Sequence, residues 1–248
     1  MRLLLLFASA MLAIFSTSQI VAAERLYIYT ESFPPYNMST NGRAFEHSAD
    51  KIDGMCTERA KAILDLSGYD YRIKLRNWDY GYNRALNKAY HGIYCTTLTE
   101  EREPLFKWVG PIAQNTWTIF APPGSTFKMN KLEDAKDKSI GGYRNDAKGK
   151  YLLERGYNLS ALESDDLNPK RLQLGQIDLW VAERLSGPYV ASQQDVEGVV
   201  PVFSFKDVDM YLAMSPETPN EVIEGLNKAL EAIKKNGTYD AIGTKYGL

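Results

Sequence analysis

Apolar and polar positions switch period repeatedly along the chain, and each switch predicts an element. "RLYIYT" (25–30) alternates and is rich in aromatic and branched residues, a strand pattern. "ESFPPYNMSTNG" (31–42) predicts a loop, because adjacent prolines exclude helix. "GMCTERAKAILDLSG" (54–68) repeats Cys56, Ala60, Ile63 and Leu64 at helical spacing and stops at Gly68. "YDYRIKL" (69–75) alternates strictly, with Tyr69, Tyr71, Ile73 and Leu75 on one face. A helix over 81–90 and a short strand over 92–95 follow. Strand, helix, strand, helix, strand predicts a parallel α/β unit.

The pattern then restarts. Strands are predicted at 116–122, 139–143 and 176–183, with a further one at 198–203 broken by Pro201. A helix over 146–156 is weakened by Gly149. The strongest periodicity lies in 218–237, where Val222, Ile223, Leu226, Leu230 and Ile233 form an apolar stripe. Thr218 is placed to cap, Pro219 to occupy the first helical position, and Glu221 to complete a capping box. Lys234 and Lys235 suit the negative end of the helix dipole, and Gly237 ends it. Two α/β units without a flexible linker imply two lobes packed across a cleft.

The N-terminus changes the picture by naming a compartment. Arg2, the apolar run Leu3–Phe15 and the small residues Val21-Ala22-Ala23 read as a secretory signal peptide over 1–23, cleaved after Ala23. Its apolar run is too short to span a bilayer comfortably. The chain carries 29 basic and 31 acidic residues, a balance that argues against a nucleic-acid or anionic-membrane partner. Cys56 and Cys95 are the only cysteines; in an oxidising compartment they read as one disulfide, the alternative being two buried thiols. His47 and His91 share no ligand spacing with each other or with the cysteines, so neither a metal site nor a Cys-His nucleophile is predicted, and no cofactor.

One stretch raises a chemical question. "YCTTLTEEREPLF" (94–106) passes from a strand end through threonines into a charged knot containing Arg102. The turn is either ordinary and solvated, or Arg102 is held there to receive an anion. With the "FPPY" loop (33–36), Gly54 opening a helix, "TTLTEER" (96–102), "GQID" (175–178) and "ALEAIKKNGTYDAIGTKYG" (229–247), nearly the whole mature chain resembles the bacterial extracellular solute-binding proteins of the polar amino-acid type, family 3.

That resemblance implies an α/β, two-lobed periplasmic-binding-protein-like fold of type II, with the ligand cleft between lobes. Lobe 1 would be 24–112 plus 211–248, lobe 2 would be 116–207, and 113–115 and 208–210 would be the hinge strands. Arg102 would grip a ligand carboxylate through two parallel hydrogen bonds, with Thr96 and Thr97 adding donors. Glu100, Glu101 and Glu103 would keep the turn soluble and hold the arginine's orientation. Phe33, Tyr36 and Trp78 would wall the ligand, the alternative for Trp78 being packing at a helix start. Tyr143 and Trp180 are more often core residues, although the loop setting of Tyr143 leaves it open. The cysteines would tie down the ligand-facing edge of lobe 1.

The sequence departs from the family pattern in the second lobe. Asp146 stands where a Ser or Thr usually helps bind the carboxylate, with Arg144 available to offset it. Glu183 stands where an Asp usually meets the ligand ammonium, and Asp178 reads as structural. If Asp146 and Glu183 both faced the cleft, closing it empty would bring like charges together, so a cationic or zwitterionic ligand is expected. The alternative is that Asp146 merely caps its helix and points away. The leading expectation is a monomeric, non-enzymatic periplasmic protein that delivers a small amino-acid-like or zwitterionic solute to an inner-membrane ABC permease. The alternatives are a cyclohexadienyl-dehydratase-like enzyme using Glu183 and Asp146, or a ligand carrier for a membrane sensor.

Overall fold

A computed structural model of the chain describes residues 24–246; the signal-peptide reading of 1–23 lies outside them. Leu26–Thr30 (β1), Tyr71–Leu75 (β4) and His91–Thr97 (β5) are parallel neighbours, with β1 in the middle. Between them run Met38–Ser39 (β2), Ile52–Asp53 (β3), Met55–Ser67 (α1) and Trp78–Asn87 (α2). The chain then enters Lys107–Ala121 (β6). Ser139–Tyr143 (β7), Ala147–Glu154 (α3), Asn158–Leu162 (β8), Asn168–Gln173 (α4), Leu179–Glu183 (β9) and Ser186–Ser192 (α5) follow. It returns through Val200–Met214 (β10) and ends in Asn220–Lys235 (α6) and Thr238–Lys245 (α7). One eight-stranded sheet has the order β4-β1-β5-β10-β6-β9-β7-β8.

The two 15-residue strands β6 and β10 are the spine. They pair antiparallel along nearly their full length, and each parallel α/β unit hangs from one end. Buried apolar residues divide accordingly. One set of clusters draws on Leu26–Ala113 and Met210–Ile233; the other lies between Trp117 and Val208. The chain is therefore two α/β lobes joined by two crossing strands. Both strands are longer than their apolar patterns predict. β6 begins before residue 116 and runs through Gly110-Pro111, and β10 absorbs Pro201 with register shifts rather than breaking.

The loop after β1 is held by the start of α1. Met55 N–H donates to the Pro35 carbonyl at 3.1 Å, and Cys56 N–H donates to that of Tyr36 at 2.8 Å. These bonds satisfy donors that a helix N-terminus leaves free. A Cβ on Gly54 would lie 2.5 Å from the Tyr36 oxygen, so only glycine allows this approach. Cys56 and Cys95 are joined by the disulfide, 39 residues apart in sequence. Cys95 sits where β5 bulges against β10, since the register shifts between Tyr211 and Ala213.

The capping box expected for the last long helix does not form. Pro219 precedes α6 and no side chain caps it. Thr218 is fully buried instead, and its Oγ1 accepts from Tyr90 N–H at 3.1 Å. Its carbonyl accepts from Lys107 Nζ at 2.6 Å. Burial gave the hydroxyl a tertiary partner that a local capping pattern does not anticipate.

Candidate functional site

Strand ends and helix starts from both lobes converge between them. From lobe 1 come Glu31 and Phe33 after β1, Trp78 opening α2, and Thr97 with Arg102 after β5. From lobe 2 come Tyr143 ending β7, Asp146 before α3, and Glu183 ending β9. Asn115 of β6 contributes from between the lobes.

Arg102 is buried to 6% exposure. Its guanidinium lies 5.0 Å from the Trp78 ring centroid and 5.6 Å from that of Tyr82. One terminal nitrogen donates to the Thr97 carbonyl and the other to the Asn145 carbonyl across the cleft, both at 3.3 Å. Asn145 adopts φ 58°, a left-handed conformation that asparagine tolerates. Arg102 enters no ion pair among the described residues. The neighbouring acids do not orient it as the sequence suggested: Glu101 pairs instead with Lys150 of lobe 2 at 2.8 Å. Aromatic faces and backbone carbonyls do that work, because they are fixed by the fold whereas exposed glutamates are not.

Lobe 2 holds a charge cluster whose centre the sequence reading missed. Lys148, in the first turn of α3, is completely buried, with Nζ 3.0 Å from Asp146 Oδ2 and 2.9 Å from Glu183 Oε1. The same Nζ lies 4.7 Å from the Tyr143 ring centroid. Asp146 both caps α3, accepting from Gly149 N–H at 3.0 Å, and lines the cleft, so the two roles weighed as alternatives coexist. Its charge is offset by Lys148 and not by Arg144, which pairs at the surface with Glu163. Burial alone would lower the Lys148 pKa; Asp146 and Glu183 overcome that and hold it raised. The hint in the sequence was a lysine two residues after a capping Asp, but lysine is so often exposed that nothing marked it.

Glu31 also escaped the sequence reading. It follows β1 directly, and its Oε1 accepts from the Tyr143 hydroxyl of the opposite lobe at 3.5 Å. Burial, reinforced by Asp146, pushes its pKa up to about 8. Burial likewise pushes Glu183 up to about 7, against the pull of Lys148. Asp165 is raised by burial too, while its Oδ1 accepts from Trp180 Nε1 at 2.9 Å and Asn168 Nδ2 at 2.7 Å. The acids that meet across the cleft are thus Glu31 on one side and Asp146 with Glu183 on the other. Asp146 and Glu183 lie within one lobe, bridged by lysine, so the repulsion expected between those two on closure is corrected to this cross-lobe arrangement.

The remaining predicted residues divide. Phe33, Trp78, Thr97, Tyr143 and Glu183 face the cleft. Tyr36 is buried behind Phe33, stacked on it at 4.8 Å, and lines no part of the cleft. Thr96 is fully buried, and its hydroxyl donates to the Ile93 carbonyl at 3.0 Å. Strand alternation explains the split between adjacent threonines. Trp180 is core, and Asp178 Oδ2 accepts from Ser139 N–H at 2.8 Å, a structural contact. Asn115 Oδ1, beside the cleft, is buried without a hydrogen-bond partner among the described residues.

Two α/β lobes on crossing strands, with charged groups converging between them, define a binding protein of the type II periplasmic-binding-protein-like class. The pattern of the bacterial extracellular solute-binding proteins, family 3, matches residues 27–248, and the chain belongs to that family. It is 25% identical to Putative ABC transporter arginine-binding protein 2 of Escherichia coli (strain K12), over 96% of each chain. A solved ancestral arginine-binding protein bound to arginine is 25% identical, with a TM-score of 0.75 over 90% of this chain and 98% of that one. A histidine kinase sensor domain similar to periplasmic binding proteins superposes with a TM-score of 0.81 at 21% identity, over 91% of this chain and 96% of that one.

Proposed function

We propose that the protein captures an amino-acid-like zwitterion in the periplasm by lobe closure and hands it to an ABC importer of the inner membrane. The observation that carries this reading is the pairing of opposite chemistries across the cleft. Arg102, set beside the Trp78 and Tyr82 rings and without an ion-pair partner among the described residues, shares the cleft with carboxylates gathered by Lys148 and with the Asn115 oxygen, which has no hydrogen-bond partner among those residues. A ligand carboxylate at Arg102 and an ammonium at Glu183, Glu31 and Asn115 would satisfy both sides. Closure is then driven by contacts that only a ligand touching both lobes makes. We place the lobes at 24–112 with 211–248 and at 116–207, with 113–115 and 208–210 as the pivot.

The arginine-binding names of relatives put basic amino acids first in a ligand screen. Calorimetry of the unliganded protein against the common amino acids and small zwitterions should find at least one that binds in the micromolar range or tighter. Failure of every zwitterion, with binding only of plain anions or neutral sugars, overturns the reading. A second reading rests on Glu31 and Glu183, whose pKa values of about 8 and 7 suit general acid–base work near neutrality. An enzyme would turn over a bound ligand, so new product signals in a proton NMR time course would decide for it; unchanged ligand would support the binding protein.

A further inference from the structure

The acids of the cleft outnumber the cations that answer them. Glu31, Asp146 and Glu183 all line the inner pocket, a space of about 20 Å³ that also touches Arg102. A single water needs roughly 10–15 Å³, so this space admits one small polar group such as an ammonium. One cation, Lys148, serves two of the three acids, at 3.0 Å from Asp146 and 2.9 Å from Glu183. Glu31 enters no ion pair among the described residues. Its one side-chain hydrogen bond among them is the 3.5 Å contact from the Tyr143 hydroxyl. Its place is nonetheless fixed by the fold: β1 ends directly before it, and the buried Asn37 donates from Nδ2 to its carbonyl at 2.7 Å.

The outer chamber does not supply the missing cation. Its wall carries Arg43, Arg76 and Asp79 on lobe 1, and Asp165, Asp166 and the paired Arg144 and Glu163 on lobe 2. None of these arginines pairs with Glu31, and Arg76 is engaged by the Glu46 and Leu75 carbonyls and by His47. A carboxyl set among other acids and without a cation of its own keeps its proton, because ionising it would place like charges together. Burial, with Asp146 and Glu183, accordingly holds the Glu31 pKa up at about 8, although Lys148 and Arg102 pull the other way. Glu31 is partly exposed at the neck between pocket and chamber, so its proton has a path to solvent.

We propose that the site exchanges a proton for its ligand: as the ligand ammonium enters beside Glu31, the Glu31 carboxyl ionises to pair with it. The carboxyl O–H bond breaks, its electron pair stays on the oxygen, and the proton passes to the buffer. The ammonium keeps all of its own protons and supplies the cation that the fold leaves out. This rests on the zwitterion reading above and adds a regulation to it, because acid then opposes uptake. The ligand is held by the ionised form, so affinity rises with pH while the empty site is protonated and levels off above about 8. Glu183, raised to about 7 but bonded to Lys148, is the competing source of a proton.

The test is calorimetry with L-arginine or, should it not bind, with the tightest binder among the common amino acids. At about pH 7 the binding heat should be more exothermic in Tris than in phosphate, in proportion to the protonation enthalpies of the buffers, with a slope of about one proton released. Affinity should rise about tenfold per unit between about pH 5.5 and 6.5. Glu31→Gln mimics the protonated form and cannot ionise, so it should remove most of the slope. Carbon-13 NMR of the glutamate carboxyls reads the same event without requiring the variant to bind. The signal missing from Glu31→Gln should be mainly protonated in the unliganded wild type at about pH 7 and move to the ionised position on binding. Equal heats in both buffers, or a Glu31 signal already ionised before ligand is added, overturns the exchange and leaves the zwitterion reading standing. A slope that persists in Glu31→Gln places the proton on Glu183 and overturns it equally. Failure of the whole amino-acid panel to bind overturns both readings.

Discussion

Arg102 and Lys148 are both buried cations, but they are satisfied differently, and their substitutions should separate. Arg102 donates to two carbonyls, lies beside two aromatic rings and enters no ion pair among the described residues, so its charge is available to a ligand. Arg102→Ala is expected to weaken cognate binding by about 3 kcal/mol, roughly two orders of magnitude, because a carboxylate enclosed in the cleft loses its bidentate partner. Calorimetry returning wild-type affinity would remove Arg102 from the anion site. Lys148 is consumed by the fold, since Asp146 and Glu183 lie against it. Lys148→Met should destabilise the unliganded protein by about 3–5 kcal/mol, the cost of stranding two buried acids. An unfolding free energy from urea titration that changes by less than about 1 kcal/mol would show that the acids are not held by this lysine.

At the scale of elements, the expected α6 cap provides a clean contrast. Thr218 bonds to Tyr90 rather than to its own helix, and Glu221 is exposed in the first turn without a capping partner. Thr218→Val should cost about 1–2 kcal/mol, through the Tyr90 amide it leaves unpaired. Glu221→Ala should fall within about 0.5 kcal/mol of wild type. A working capping box would make the Glu221 change the comparable one, which thermal melts of the two variants would reveal. The disulfide acts at this scale too. It ties the start of α1 to the β5 bulge, and closing a loop of 39 residues gives a chain-entropy stabilisation of about 4 kcal/mol. Cys95 also lines the inner pocket, so the link braces the wall from which Thr97 and Arg102 project.

At the scale of the whole molecule, Glu31 couples folding stability to pH. Burial, reinforced by Asp146 and Glu183, raises its carboxyl from an ordinary value of 4.5 to about 8, while Lys148 and Arg102 oppose the rise. The folded form therefore holds this proton at pH values where the unfolded chain has released it. The stabilisation is full below the ordinary value and is lost as pH rises to about 8, above which it changes no further. Melting temperature of the unliganded protein should fall across that window, and Glu31→Gln should flatten the slope. An unchanged slope in the variant would place the proton elsewhere. The exposed Lys150–Glu101 pair across the cleft contributes at most about 1 kcal/mol.

Local pattern determined much of this protein. Alternation marked β1 and β4, helical spacing marked α1 and α6, and a threonine row before a lone arginine marked the anion-binding candidate. Each is a signal carried within a few consecutive turns or strand residues, where side-chain period and backbone geometry are directly linked. Tertiary structure decided the rest. It alone buried Lys148 between Asp146 and Glu183, set Glu31 against the opposite lobe, and turned Tyr36 and Thr96 into core while Phe33 and Thr97 kept the cleft. It also extended β6 and β10 past Pro111 and Pro201, because pairing along the spine outweighed the local cost of proline. The physical reason is common to all of these. A titratable group's role depends on which charges and apolar surfaces surround it, and here, Asp146 beside Lys148 apart, those neighbours lie tens of residues away in sequence, as Glu183 does from Lys148 and Tyr143 from Glu31.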